Sequence, residues 1–393
     1  MRVIICGAGI AGLALAGRLL ATGAEPIVVE QAPGPRTQGY MIDFFGPGFD
    51  AATRTGLEPR VRELGYKVKE FGYVDKSGKV KARIDYPRFT ASVSGGLVSI
   101  MRPDIELLLR EPVQEKIDIR YGQTITGIDN RADGVSVTLS DGTAVDADLL
   151  VGADGIHSQT RTTVFGPESD YLRHLGFHTA AYVFEDPEIH GLVKDGFYMT
   201  DTMDRQMGFY GLRGGRVATF LVHRSDDQAL PADPQATIRE VYADVGWIAE
   251  KALAQCPSSE NIYYDLVAQI EMPHWIDKRV TLLGDANYAV SLLAGQGASL
   301  GVAGAYVLAR QLETHTDIDA ALAEYQRRWH PVVTDRQAIG RRGAGWFVPH
   351  TSGQLLARRV ALKAMRLPYL DRWLGNALIG KSHDNIEQTA TDD

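Results

Sequence analysis

Three short segments of this sequence carry the residue types that grip a phosphate-linked cofactor. Gly7-Ala8-Gly9-Ile10-Ala11-Gly12 is a G-x-G-x-x-G. Gly7 permits a tight turn, Gly9 lets backbone approach a pyrophosphate, and Gly12 allows close helix–strand packing, with Ala11 in the same turn. Glu30 follows about 20 residues on, where a carboxylate can bond both hydroxyls of an adenosine ribose. In the second segment, "VGADGIHSQTR", Asp154-Gly155 ends an apolar run, and Ser158 and Arg161 follow at helical spacing. Asp154 there is either a ligand-facing carboxylate or a helix cap, with Ser158 and Arg161 solvated. The third, "LLGDANYAVSLLAGQG", sets Asp285 at the mouth of a buried run and brings Gly295 and Gly297 just ahead of Ala298. An unpaired buried carboxylate costs several kcal/mol, so a polar, flat, phosphate-linked ligand is expected beside it.

These segments need elements that bring them together. Val3 to Cys6 reads as a strand, Ala11 to Thr22 as a helix and Ile27 to Glu30 as a strand. That βαβ unit implies a parallel sheet. "VSVTLSDGTAVDADLLVGADG" gives an alternating strand, a turn at Asp141-Gly142 and a buried strand. From about Phe177 to Val222 the segments are aromatic and β-branched, with a hairpin turn at Gly214-Gly215. They predict an inserted antiparallel sheet. Parallel character returns at "RVTLLGDA", and a helix follows from about Ala298 to Leu312. A basic amphipathic stretch, "QLLARRVALKAMRLPYLDRWL", comes next, and the polar end "HDNIEQTATDD" reads as frayed. The expected fold class is α/β. A discontinuous nucleotide domain spans residues 1–70, 95–170 and 275–345. A sheet domain takes 71–94 and 171–274, a helical segment 346–385 and a tail 386–393.

Composition narrows the function. The 41 Lys+Arg against 49 Asp+Glu give a net charge of −8, which argues against nucleic-acid binding. Two cysteines, Cys6 and Cys256, form no disulfide framework and suit the cytoplasm. Glycines interrupt the apolar N-terminus, so it reads as a strand and helix rather than an export signal. No apolar run reaches the roughly 20 residues of a membrane span.

Taken together, the three segments resemble the class A FAD-dependent aromatic monooxygenases, the family of para-hydroxybenzoate hydroxylase. Within it the chain is most similar to the tetracycline-inactivating and antibiotic-tailoring monooxygenases. The resemblance implies a Rossmann-like FAD domain with an inserted substrate sheet and a C-terminal helix. It implies FAD as cofactor and NADPH or NADH as reductant. A flavin C4a-hydroperoxide would pass one oxygen of dioxygen to an aromatic or polyketide-like small molecule. It assigns Glu30 to the adenosine ribose, and Arg36 and Arg102 to the ribityl and phosphate region. Asp154-Gly155 falls near the pyrophosphate and the nicotinamide donor, and Asp285 near a ribityl hydroxyl. Gly295, Gly297 and Ala298 would pass close to the ring, with a positive helix end toward its pyrimidine edge. Two departures stand out: Tyr288 occupies the family's His position and Leu292 its proline position.

The substrate side is less distinct. "GYMIDFFGPGFD", including Phe44, shields the flavin or packs the core. Tyr198, Met203, Phe209, Tyr210 and Phe220 form an aromatic pocket or, individually, sheet packing. His178 and His223 are proton-transfer candidates or structural residues, and no metal site is expected. No side chain is assigned as catalytic, because the cofactor performs the difficult step. A monomer or homodimer without membrane insertion is expected. Two rivals remain: a flavin reductase or dehydrogenase on the same fold, and a non-catalytic FAD protein that protects a metabolite.

Overall fold

The computed structural model describes residues 1–36, 39–92, 96–291, 295–364 and 386–391. Its first layer is a six-stranded sheet whose inner strands are continuous apolar runs, as a sheet covered on both faces requires. Arg2–Cys6 lies between Glu25–Glu30 and Leu149–Gly152, parallel to both. Val280–Leu282 adds in parallel beyond Leu149–Gly152, and Asp118–Tyr121 beyond Glu25–Glu30. Cys6 stands opposite Gly152, and Gly152 opposite Leu282. The three strand ends that lead into Gly7, Asp154 and Asp285 are therefore neighbours, although far apart in sequence. Ligands of open α/β sheets bind outside such carboxyl ends.

Helix Ile10–Ala21 packs on helix Gly297–Thr314 across the same sheet. Two glycines let the turn into helix Ile10–Ala21 pack tightly on the strand ends. Gly7 has φ of +109° and lies so close to Ala153 that an added Cβ would sit 2.4 Å from its carbonyl oxygen. A Cβ on Gly12 would sit 2.0 Å from the Gly7 carbonyl oxygen. A three-stranded sheet, from Ile125 to Ala147, covers the opposite face through Val135, Val137 and Leu139.

The second layer is an eight-stranded, mostly antiparallel sheet. Its central strands are Leu172–Ala181, Arg205–Gly211 and Arg216–Arg224, the last two joined by a turn at Gly214-Gly215, both with positive φ. Strand Glu70–Val74 joins in parallel beside Gly196–Thr200. Helices Pro187–Val193, Pro234–Val241 and Ala249–Ala254 cover the outer face. The inner face looks toward the ribbon Met41–Phe45/Leu97–Met101 and the helices Ile318–Phe347 and Ser352–Ala364.

The chain end differs from expectation. In place of a frayed tail, Ile386–Ala390 is a helix with Ile386 and Ala390 buried. The Ile386 N–H donates to Asp50, and Gln311 donates to the Ala390 carbonyl. Polarity misled because Arg54 pairs with Glu387 at 2.6 Å, so a polar segment packs by charge. The segment 365–385 and Leu292 lie outside the described residues.

Candidate functional site: a cofactor cleft and an inner cavity

The strand ends open into a cleft of about 530 Å³ lined by Gly7, Gly9, Glu30, Arg36, Arg102 and Asp154. Glu30 is buried, and its carboxylate accepts hydrogen bonds from the N–H groups of Ala8 and Ala32, each 2.8 Å. The glycine turn thus fixes the carboxylate before any ligand arrives. Helix Ile10–Ala21 begins at Gly9 with no side-chain cap and no acid in its first turn, which leaves its N–H groups and positive end open to an anion. Arg102 reaches the same point: its Nη2 would lie 3.9 Å from a Cβ on Gly9, and Glu106 holds it at 2.8 Å. A carboxylate for a ribose, open N–H donors and an arginine fit an adenine dinucleotide.

The second segment is a brace. Asp154 accepts from the Ser158 hydroxyl at 2.6 Å and from the Thr160 N–H at 2.9 Å. Ser158 caps helix Gln159–Val164 by accepting from the Arg161 N–H. Arg161 is not solvated but fully buried, donating to the carbonyls of Ala286 and Ile156 and to Glu168. Through Ala286 it ties the second segment to the third. Both carboxylate oxygens of Asp154 accept from this loop, which holds the carboxylate in the cleft wall.

Gly9, Arg102 and Gly155 also border an adjoining cavity of about 190 Å³, where Ala11 joins them. Its other walls include Tyr40, Tyr263, Asp265, Asp285, Gly295, Gly297 and Ala298. Asp285 opens onto this cavity and is exposed along it, yet the protein around it still pushes its pKa up, opposed by Arg102 and reinforced by Asp265. Helix Gly297–Thr314 starts here without an acid in its first turn. Tyr288 faces away: it is buried against Trp275 with its hydroxyl toward the Leu300 carbonyl. Its role is packing.

The six substrate candidates do not form one pocket. In a strand, alternate residues face opposite ways, and Phe209 and Tyr210 are consecutive. Phe209 and Tyr198 lie on the outer face against Trp247, with the Tyr198 hydroxyl donating to Glu70. Met203 is exposed in a loop. Phe44 points into the nucleotide-domain core against Phe49. Tyr210 is on the inner face, but its hydroxyl accepts the Met41 N–H and it anchors the ribbon. Phe220 remains at the site, its ring 6.1 Å from Tyr40. Sequence reasoning missed Phe197, the inward neighbour of Tyr198, which packs edge-on against Tyr210. It also missed Tyr40, Tyr263 and Asp265. Inner-face alternation was the available signal for Phe197; nothing in "YYDLVAQI" singled out Asp265.

His178 and His223 are buried cross-strand neighbours, bonded to Tyr264 and Tyr242 on the outer side of the sheet. They serve the sheet. Among the described residues no group of three or more His, Cys, Asp or Glu could hold a metal ion, and no helix is long and apolar enough to cross a membrane.

Residues 1–337 match the FAD binding domain family, and the chain belongs to that family. A flavin-dependent monooxygenase from an unknown prokaryotic organism is 30% identical over 347 residues, covering 86% of this chain and 88% of that protein. The FAD-dependent monooxygenase asL6 of Sarocladium schorii is 30% identical over 384 residues, covering 88% of each. The crystal structure of tetracycline destructase Tet(55) superimposes with a TM-score of 0.80 at 27% identity, covering 96% of this chain and 97% of that one. Within its family the chain is an FAD-dependent monooxygenase of class A.

Proposed function

We propose that this monooxygenase takes NADH or NADPH as reductant and inserts one oxygen atom of dioxygen into a small aromatic or polyketide-like molecule. The observation that carries this reading is the convergence of three strand ends on a cleft that continues into a carboxylate- and tyrosine-walled cavity. In the proposed assignment Glu30 holds the adenosine ribose, Arg36 and Arg102 the phosphate region, and Asp285 a ribityl hydroxyl. Bound FAD supplies the redox chemistry and the activation of dioxygen. The chain's own part is to bind, orient and exclude water. Tyr40, Tyr263 and Phe220 form an aromatic wall next to the cavity, which supports a flat, electron-rich substrate. The likeness to a tetracycline destructase supports a fused-ring polyketide class.

The test is the flavin spectrum of the purified protein together with NADH and NADPH oxidation against a panel of polyphenols and aromatic polyketides. Ligand-stimulated oxidation coupled to an oxygenated product is expected. Double-bond saturation without oxygen consumption, or no reduction by either nucleotide, would overturn the reading.

A further inference from the structure

One charged group at this site has no part in the assignment above. His157 borders the outer cleft, and Asp265 borders the inner cavity. Their side chains meet: His157 Nε2 lies 3.0 Å from Asp265 Oδ1. The other ring nitrogen, Nδ1, lies 2.9 Å from Glu168 Oε1. Asp265 comes from strand Tyr263–Ile270 of the inserted sheet, whereas His157 belongs to the loop after Leu149–Gly152. The contact therefore joins the two layers where cleft and cavity meet.

The charges around it are unbalanced. The inner cavity presents two carboxylates, Asp265 and Asp285, to one guanidinium, Arg102, which already pairs with Glu106. On the other elements packed here, Glu168 accepts from Arg161, and Asp154 is held by Ser158 and Thr160. An FAD molecule would add a doubly charged pyrophosphate. Two like charges in one small cavity oppose an anionic ligand unless one is compensated.

Resting on the FAD-dependent reading, we propose that His157 is a positioning and charge-balancing residue: its imidazolium neutralises Asp265, so that the cavity accepts an anionic flavin cofactor. Its protonation is consistent with this. The bond to Asp265, opposed by burial and helped by Glu168, raises the ring from 6.5 to about 9. The cation is present at neutral pH and disappears as pH rises through that value.

The experiment measures FAD affinity of the full chain by quenching of free flavin fluorescence, without reductant or substrate. In the wild type, affinity should fall as pH rises through about 9. His157→Gln keeps a hydrogen-bonding side chain without the charge. It should bind FAD more weakly at neutral pH, by up to about tenfold, equivalent to ~1.4 kcal/mol, with no loss near the histidine's titration. Adding Asp265→Asn to that variant removes the uncompensated charge and should restore most of the affinity, which a purely structural strut would not do. Asp265→Asn alone should bind FAD at least as tightly as the wild type. Unchanged affinity in His157→Gln, or a double variant weaker than His157→Gln, would overturn the proposal. Should His157→Gln fail to fold, weaker binding by Asp265→Asn would do the same. A wild-type protein that takes up no FAD would instead remove the cofactor reading itself.

Discussion

Glu30 and Asp285 are both carboxylates at strand ends beside the cleft, yet the protein treats them oppositely. Glu30 is held by two backbone N–H groups, whereas Asp285 faces the cavity with its pKa raised by desolvation. Under the proposed assignment Glu30→Ala removes the acceptor for the ribose hydroxyls, so FAD affinity should fall by about tenfold or more, as expected for charge-assisted bonds of ~1.5–3 kcal/mol; equilibrium dialysis would measure it. Asp285→Ala should also weaken FAD retention through gel filtration, and undiminished occupancy would refute its role. Arg161→Ala is expected to act on stability instead. It leaves the carbonyls of Ala286 and Ile156 without their donor, a loss of about 1–3 kcal/mol that thermal unfolding should register. The glycine turn and the strand-end carboxylates were legible in sequence because a tight turn and a polar cleft dictate residue type. Arg161 and His157 were not assigned, since their meaning lies in partners over 100 residues away, Ala286 and Asp265.

At the scale of elements, the helix Gly297–Thr314 and the buried Tyr288 depend on each other. A Cβ on Gly304 would lie 1.9 Å from the Tyr288 hydroxyl, so the helix makes room for a tyrosine where the resembled family has a histidine. Gly304→Ala should destabilise the protein by about 1–3 kcal/mol through overpacking. Tyr288→Phe should recover part of that loss, measured as a double-mutant cycle in urea. The strand pair Leu172–Ala181 and Arg216–Arg224 carries its own pH dependence. Burial, with His178 alongside, lowers His223 to about 4. Its depressed pKa means the unfolded chain binds the proton more readily, so stability falls as pH drops from 6.5 toward about 4. His223→Asn should show a smaller decline in melting temperature over that interval. The elements themselves were readable from periodicity, including the helix beginning near Ala298. Which face each strand turned inward was not. Apolar segments such as "QMGFYGL" are buried on both sides here, so hydrophobicity could not separate Phe209 from Tyr210.

Across the whole molecule, the two layers meet at the cleft and cavity and where the ribbon packs on the inserted sheet. Cavity walls come from the glycine turn, the ribbon and the inserted sheet together. FAD binding should therefore stabilise both layers as a unit, raising the unfolding free energy by about 2.7 kcal/mol at a hundredfold excess over Kd. Differential scanning calorimetry should show one transition moving with FAD concentration, and the shift should shrink in Asp285→Ala. Two transitions of which only one moves would contradict this coupling.

Strand Val280–Leu282 completes the sheet that begins at Arg2–Cys6. A growing polypeptide displays its dinucleotide turn early, but the wall carrying Asp285 leaves the ribosome only after the entire inserted sheet has been made. Cofactor capture is consequently a late event in the life of each molecule. Chains released while flavin is scarce would have to be loaded after synthesis.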